Sequence, residues 1–139
     1  MKHKKKGNIF AVSLDIGDNI IESLRIFCLN NKIKCGFFNG IGAVDEAELA
    51  HYSVKTKKYT SKKYKKALEI VSLNGNISSM NKAPYIHCHA CFSDEKMIAI
   101  AGHLKEARVS AACEVIIVSV DLRLERKHDK IIGLNMLDI

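Results

Sequence analysis

Pro84-Tyr85-Ile86-His87-Cys88-His89-Ala90-Cys91-Phe92, followed after a short polar break by Met97-Ile98-Ala99-Ile100-Ala101-Gly102-His103, is the stretch whose reading decides the fold. Tyr85–Phe92 is short, apolar and bounded by Pro84 and by Ser93-Asp94-Glu95, which are the marks of a strand. A second apolar run, Met97–Ala101, follows the Ser93–Lys96 turn, so a hairpin is the simplest arrangement. Residues two apart on a strand point to the same face, about 6.5–7 Å apart. His87 and His89 then stand side by side, Cys88 faces away, and the hairpin returns His103 to their level.

Three neutral imidazoles converging at about 2.0–2.1 Å from one point are what a zinc-type divalent ion requires, with a fourth position left for water or substrate. His87, His89 and His103 are therefore the candidate ligands. Cys91 shares the face of His87 and His89 and is a possible extra ligand. The other reading is that these are ordinary hydrogen-bonded histidines, and spacing alone does not separate the two. His3, His51 and His128 show no pairing. Glu114, on the strand after His103, is the candidate for acid–base work or for orienting a ligand, its bland alternative being an ion pair with Arg108 or a lysine.

Outward from this stretch, 139 residues suit a single domain with a sizeable core. A content of 47% hydrophobic and 27% charged residues is that of a folded soluble protein. No apolar run approaches the ~18–20 residues that span a bilayer, and the N-terminus lacks the apolar segment of a signal peptide. The sequence thus predicts a cytoplasmic protein with no membrane partner. Five cysteines, an odd number, suit a reducing compartment. Cys88-His89-Ala90-Cys91 matches Cys-x-x-Cys formally, but its place within a strand argues against a redox site.

The net charge of +7 is unevenly spread. Lys2, Lys4, Lys5 and Lys6 form one cluster; Lys55, Lys57, Lys58, Lys62, Lys63, Lys65 and Lys66 form another, and neither contains an acidic residue. Tyr52, Tyr59 and Tyr64 accompany the second cluster. Such a segment can present aromatic faces and ammonium groups to nucleic acid, which makes DNA a candidate partner. A lysine run is more often a solvated loop or a charged edge hairpin.

In chain order, residues 1–7 read as a basic tail and residues 8–139 as one domain. Asn8–Leu14 predicts a strand. Asp18 is a good N-cap, and Ile20, Ile21, Leu24, Phe27 and Cys28 fall on one helical face, predicting an amphipathic helix over about Asn19–Asn30. Lys34–Asn39 predicts a strand ended by a tight turn at Gly40-Ile41-Gly42-Ala43. Further strands are expected at Glu46–Val54 and Leu68–Leu73, with a turn or bulge at Asn74-Gly75-Asn76. Leu104–Val109 reads as a crossover or short turn, and Cys113–Leu124 as a long strand made central by apolar Val115–Val118. Ile131–Ile139 is apolar enough to dock on the body. Many strands and one clear helix make an α+β domain with a largely antiparallel sheet.

Gly40-Ile41-Gly42-Ala43 with Glu48-Leu49, Leu68 to Ile77, His87-Cys88-His89, Gly102-His103-Leu104 and Cys113-Glu114-Val115 resemble the plants-and-prokaryotes conserved domain, in its order, over roughly Asn8 to Asp121. The resemblance implies an α+β fold, a homotrimer and a DNA-binding or regulatory role. In plant relatives a separate AT-hook contacts DNA, and this sequence has no Arg-Gly-Arg-Pro core. The three histidines are also similar to the metal site of acetolactate decarboxylase. That likeness implies the rival function, a metal-dependent lyase or hydrolase acting on a small-molecule ligand.

Overall fold

The computed structural model describes all 139 residues. In chain order they form β1 (Lys2–Lys6), β2 (Ile9–Leu14), α1 (Ile20–Asn30), β3 (Gly36–Ser53), β4 (Lys58–Met80), β5 (Ala83–Ser93), β6 (Ala99–Ser119), β7 (Glu125–Asp129) and β8 (Leu134–Asp138). The architecture is α+β with one helix on a mostly antiparallel sheet, as expected. Strands run in the order β1-β2-β6-β3-β4-β7-β8, and β5 joins β4 to β6. Because β3 also pairs with both β4 and β6, the four longest strands close on one another. The cytoplasmic expectation meets one structural fact, that no helix is long and apolar enough to cross a membrane.

Alternation decides which face is which. In β2, Phe10, Val12 and Leu14 are buried while Ile9, Ala11 and Ser13 are exposed. In β5, Cys88, Ala90 and Phe92 are buried. In β6, Cys113, Val115 and Ile117 are buried, and this segment lies between β2 and β3, the central place its apolar run predicts. These residues meet Ile20, Leu24, Phe27 and Cys28 of α1 in one core. Phe10 and Phe27 stack edge to face at 5.6 Å.

The helix begins as its periodicity predicts, but its cap is different. Asn19 occupies the N-cap without a side-chain bond, and Asp18 instead accepts the Asp15 N–H. The free N–H groups of the first turn are taken by a residue 85 positions away: Glu106 on β6 accepts from Ile21 at 2.8 Å and from Glu22 at 3.2 Å. A carboxylate there satisfies orphan donors and complements the helix dipole.

Several expected breaks are not breaks. Gly40–Ala43 lies inside β3, and Leu104–Val109 lies inside β6, where irregular pairing shows as register shifts at Gly40/Gly42, Val44/Glu46 and Glu48/Leu49. A bulge bends a strand without ending its ladder, and local glycine or charge content does not distinguish it from a turn. Asn74-Gly75-Asn76 likewise continues β4, paired with His89, Cys88 and His87. The Cys113–Leu124 strand stops at Ser119. Residues 2–6, expected as a tail, form β1 against β2, and the charged C-terminal segment folds as the β7–β8 hairpin.

Gly75 has a packing reason. A Cβ there would overlap the Phe38 ring and the His87 carbonyl oxygen. Gly75→Ala is expected to lose about 1–3 kcal/mol of stability. At Gly102 the nearest atom to an added Cβ, the Ala50 oxygen, stands at 3.1 Å, so Gly102→Ala is expected to cost less. Urea midpoints of the two variants check the order.

Candidate metal centre

His87 and His89 project from β5 on the face opposite α1, because Cys88 and Ala90 between and beside them are committed to the core. His103 on β6 pairs directly with His89, and paired residues of antiparallel strands share a face. The three rings stand with centroids 5.3, 5.3 and 5.5 Å apart. One nitrogen from each lies within 4.8 Å of the others. The arrangement read from the sequence is therefore the one that the hairpin makes.

Around the histidines the sheet supplies aromatic and polar groups. Tyr59 lies 5.6 Å from His103 and 4.8 Å from Tyr52, whose hydroxyl donates to the Ile132 carbonyl at 2.7 Å. The β7–β8 hairpin brings Arg126 over the Tyr85 ring at 4.9 Å. Its guanidinium donates to Ser78 Oγ at 2.8 Å, to the Asn135 carbonyl at 2.7 Å and to Asn76 Oδ1 at 2.8 Å, and Nη2 approaches His87 Nδ1 at 3.4 Å. The sequence carried no signal for Arg126: Leu124-Glu125-Arg126-Lys127 reads as a solvated charge run. Tyr52 and Tyr59 were visible only as companions of the lysines.

Burial, reinforced by Arg126 and the other two rings, pulls His87 down from its ordinary value to about 4. Burial likewise lowers His103, with His89 and Lys105 adding to the effect. Both rings are neutral at physiological pH, the state in which imidazole binds metal. No carboxylate joins the cluster of mutually close donors. An all-imidazole donor set fits a zinc-type ion better than a hard, oxygen-seeking one.

Other candidates lie elsewhere. Cys91 is not among the mutually close donors, and its thiol points toward the Phe92 carbonyl. All five cysteines are free, and Cys88 is buried in the core, where burial pushes its thiol up to about 12. Glu114 is exposed eleven residues along β6 from His103, paired with Ser13 and Ile41, and the structure does not bring it to the histidines. Lys55 and Lys57 sit in the turn before β4, and the other five lysines lie along β4 itself. Strand alternation divides those five between two faces. Lys63 pairs with Glu48 at 3.5 Å and Lys66 with Asp94 at 3.0 Å, and Lys62 lies over Tyr64. Lys2–Lys6 belong to β1, which pairs only with β2.

A fold of this kind recurs in known proteins. A Bacteroides thetaiotaomicron protein described as a candidate DNA-binding protein is 37% identical, with a TM-score of 0.96 over 99% of this chain and 96% of that one. A metal-containing protein from Archaeoglobus fulgidus is 30% identical, with a TM-score of 0.89 over 96% and 94% of the two chains. A Staphylococcus aureus protein of unknown function, described as similar to alpha-acetolactate decarboxylase, is 13% identical with a TM-score of 0.60 over 90% of this chain and 56% of that one, a likeness of fold alone. Comparison with curated proteins found no match. The sequence pattern of the Plants and Prokaryotes Conserved (PCC) domain matches residues 1–121. With that match covering most of the chain, and the order of elements and the histidine motif in place, the protein belongs to the PCC domain family.

Proposed function

We propose that this PCC protein is a metal-binding protein whose centre, His87, His89 and His103, holds one divalent ion, zinc by its donor set, and serves a small-molecule ligand. The observation that carries this reading is the approach of three imidazole nitrogens to within 4.8 Å of one another on a face with no competing carboxylate. A divalent ion held by three imidazoles keeps an open position, from which it polarises a carbonyl or lowers the pKa of a bound water, the chemistry of a lyase or hydrolase. The chain's own residues supply the rest: His87, His89 and His103 as ligands, Tyr59 and Tyr52 as a wall, and Arg126 as a fixed positive charge. The relative described as metal-containing supports the same reading.

Metal analysis of protein purified without a chelator or histidine tag is expected to give one ion per chain. His89→Ala, leaving two ligands, should lose most of the affinity, whereas His51→Ala and His128→Ala should lose little. Protons compete for imidazoles only once they can protonate. Burial holds the free His87 ring neutral down to about pH 4 and lowers His103 as well, so acid is expected to release the ion as the imidazoles protonate. A wild type that takes up no zinc, nickel or manganese removes the centre.

Assembly as a homotrimer is the second part of the proposal. On the face opposite α1, Ile9, Phe37, Ile41 and Ile116 are 48%, 55%, 59% and 46% exposed. Val118 joins Ile9 to Phe37 across the sheet, so the patch runs over β2, β6 and β3. An uncovered apolar sheet face of this extent favours association between copies. Sedimentation equilibrium is expected to give about three times the 15.5 kDa chain mass, and Phe37→Lys to lower it. A monomer at micromolar concentration rejects the trimer.

Binding of DNA is a second reading, favoured by the seven lysines from Lys55 to Lys66 and by the relative described as a candidate DNA-binding protein. Contact through these lysines would be weak in sequence preference and fall steeply with salt, because each neutralised phosphate releases counterions. Replacing Lys62, Lys63, Lys65 and Lys66 by glutamine is expected to flatten that slope. Absence of binding at low salt leaves the lysines as solubilising surface.

A further inference from the structure

Arg126 differs from the other three arginines. Arg25, Arg108 and Arg123 each pair with a carboxylate, Glu22, Asp45 and Glu125 respectively, at 2.7 to 2.9 Å. Arg126 has no carboxylate within 4.0 Å, yet it is among the half-buried residues and every bond it makes goes to a neutral acceptor. A charge withdrawn from water without a counter-ion is costly, and an anion brought to it would offset that cost. Its fork is not exhausted. Of five N–H donors, three are well used, the approach to His87 at 3.4 Å is long, and one Nη1 hydrogen has no partner.

The position of this cation matters more than its loneliness. It lies against His87, Nη2 to Nδ1 at 3.4 Å, which sets a guanidinium at the edge of the three-imidazole cluster. Neutral imidazoles contribute no negative charge, and Glu106, a carboxylate on β6, is turned to the N–H groups of α1 instead. Ion and guanidinium together therefore leave the site strongly positive. Resting on the metal reading above, the geometry points to a small carboxylate as the ligand of this centre, one oxygen toward the ion and the other on Arg126. A guanidinium matches a carboxylate in plane and spacing. Phosphate is the less suitable anion. Its sites are usually built from free backbone N–H groups at a helix N-terminus, and here the backbone donors of β4, β5 and β6 are engaged in the sheet while the N-terminus of α1 is capped. The Tyr52, Tyr59 and Tyr85 rings suit a carboxylate with a compact, partly apolar body.

Cobalt(II)-loaded protein gives a readout independent of any activity, since its visible spectrum responds to a change of ligand at the metal. Titration with acetate and benzoate is expected to shift the spectrum saturably, with inorganic phosphate at least about tenfold weaker. Arg126→Gln is expected to keep one cobalt per chain and lose about tenfold or more in carboxylate affinity, one charge-assisted contact's worth. Arg126→Lys, which keeps the charge without the fork, should fall between and shows that a loss in Arg126→Gln is not an unseated β7–β8 hairpin. Equal affinity in wild type and Arg126→Gln overturns the inference, as does phosphate binding as tightly as the carboxylates. Protein that takes up cobalt but ignores carboxylates overturns this inference alone. Protein that takes up no cobalt overturns the metal reading with it.

Discussion

The two-residue alternation of a strand, imposed on a sheet that has one helix to cover it, governs this molecule. Each strand commits one set of side chains to α1 and must leave the other set outside. In β5 the inward set is Cys88, Ala90 and Phe92, so His87 and His89 have nowhere to go but the opposite face. A slip of one residue in the β4–β5 pairing would bury two imidazoles and expose a phenylalanine, which makes the register costly to change. Packing against the helix is thus what places the histidines, although none of them touches it.

The uncovered face carries two different surfaces. Toward β2, β6 and β3 it is apolar, with Ile9, Phe37, Ile41 and Ile116 open to solvent. Toward β5 and the C-terminal hairpin it is polar and aromatic, with three imidazoles, Tyr59, Tyr85 and the half-buried Arg126. Buried polar groups need partners, and those of this region have them: Ser78, fully buried, accepts from Arg126, and no buried side-chain nitrogen or oxygen is left unpaired. Arg126 therefore has two tasks, holding β7–β8 to β4 and setting the sign of the potential beside His87.

Charge is sorted along β6 in a way that composition conceals. Glu106 serves the helix, Lys105 pairs with Glu48 at 2.7 Å, Arg108 pairs with Asp45 at 2.9 Å, and no carboxylate stands in the cluster to which His103 belongs. Keeping carboxylates away leaves the imidazoles as the donors of the candidate centre, a set unlike the oxygen-rich ligands that hard cations take. The basic character of the chain lies mostly on β1 and β4, where the lysines are exposed and alternate between faces.

By itself the sequence determined the class of fold, the amphipathic helix, the His87–His89 pair and the hairpin that returns His103, because each of these follows from periodicity within a few residues. Its reading failed where structure depends on distant partners. Gly40 and Gly42 look like a turn and Gly75 like a turn or bulge, but the ladder continues through all three once neighbouring strands supply the hydrogen bonds, and at Gly75 the close approach of Phe38 requires a missing Cβ. Asp18 looks like the cap of α1, but Glu106, a carboxylate 85 residues beyond Ile21, has the better position. Glu114 looks like the companion of the histidines because it follows them closely in sequence, yet eleven residues of extended strand carry it far along β6, while Arg126, in a charge run without distinguishing features, is folded back against His87. Local periodicity is a property of the chain. Which cation stands beside which imidazole is decided only when β7 meets the end of β4, a contact between segments that nothing in the nearby sequence announces.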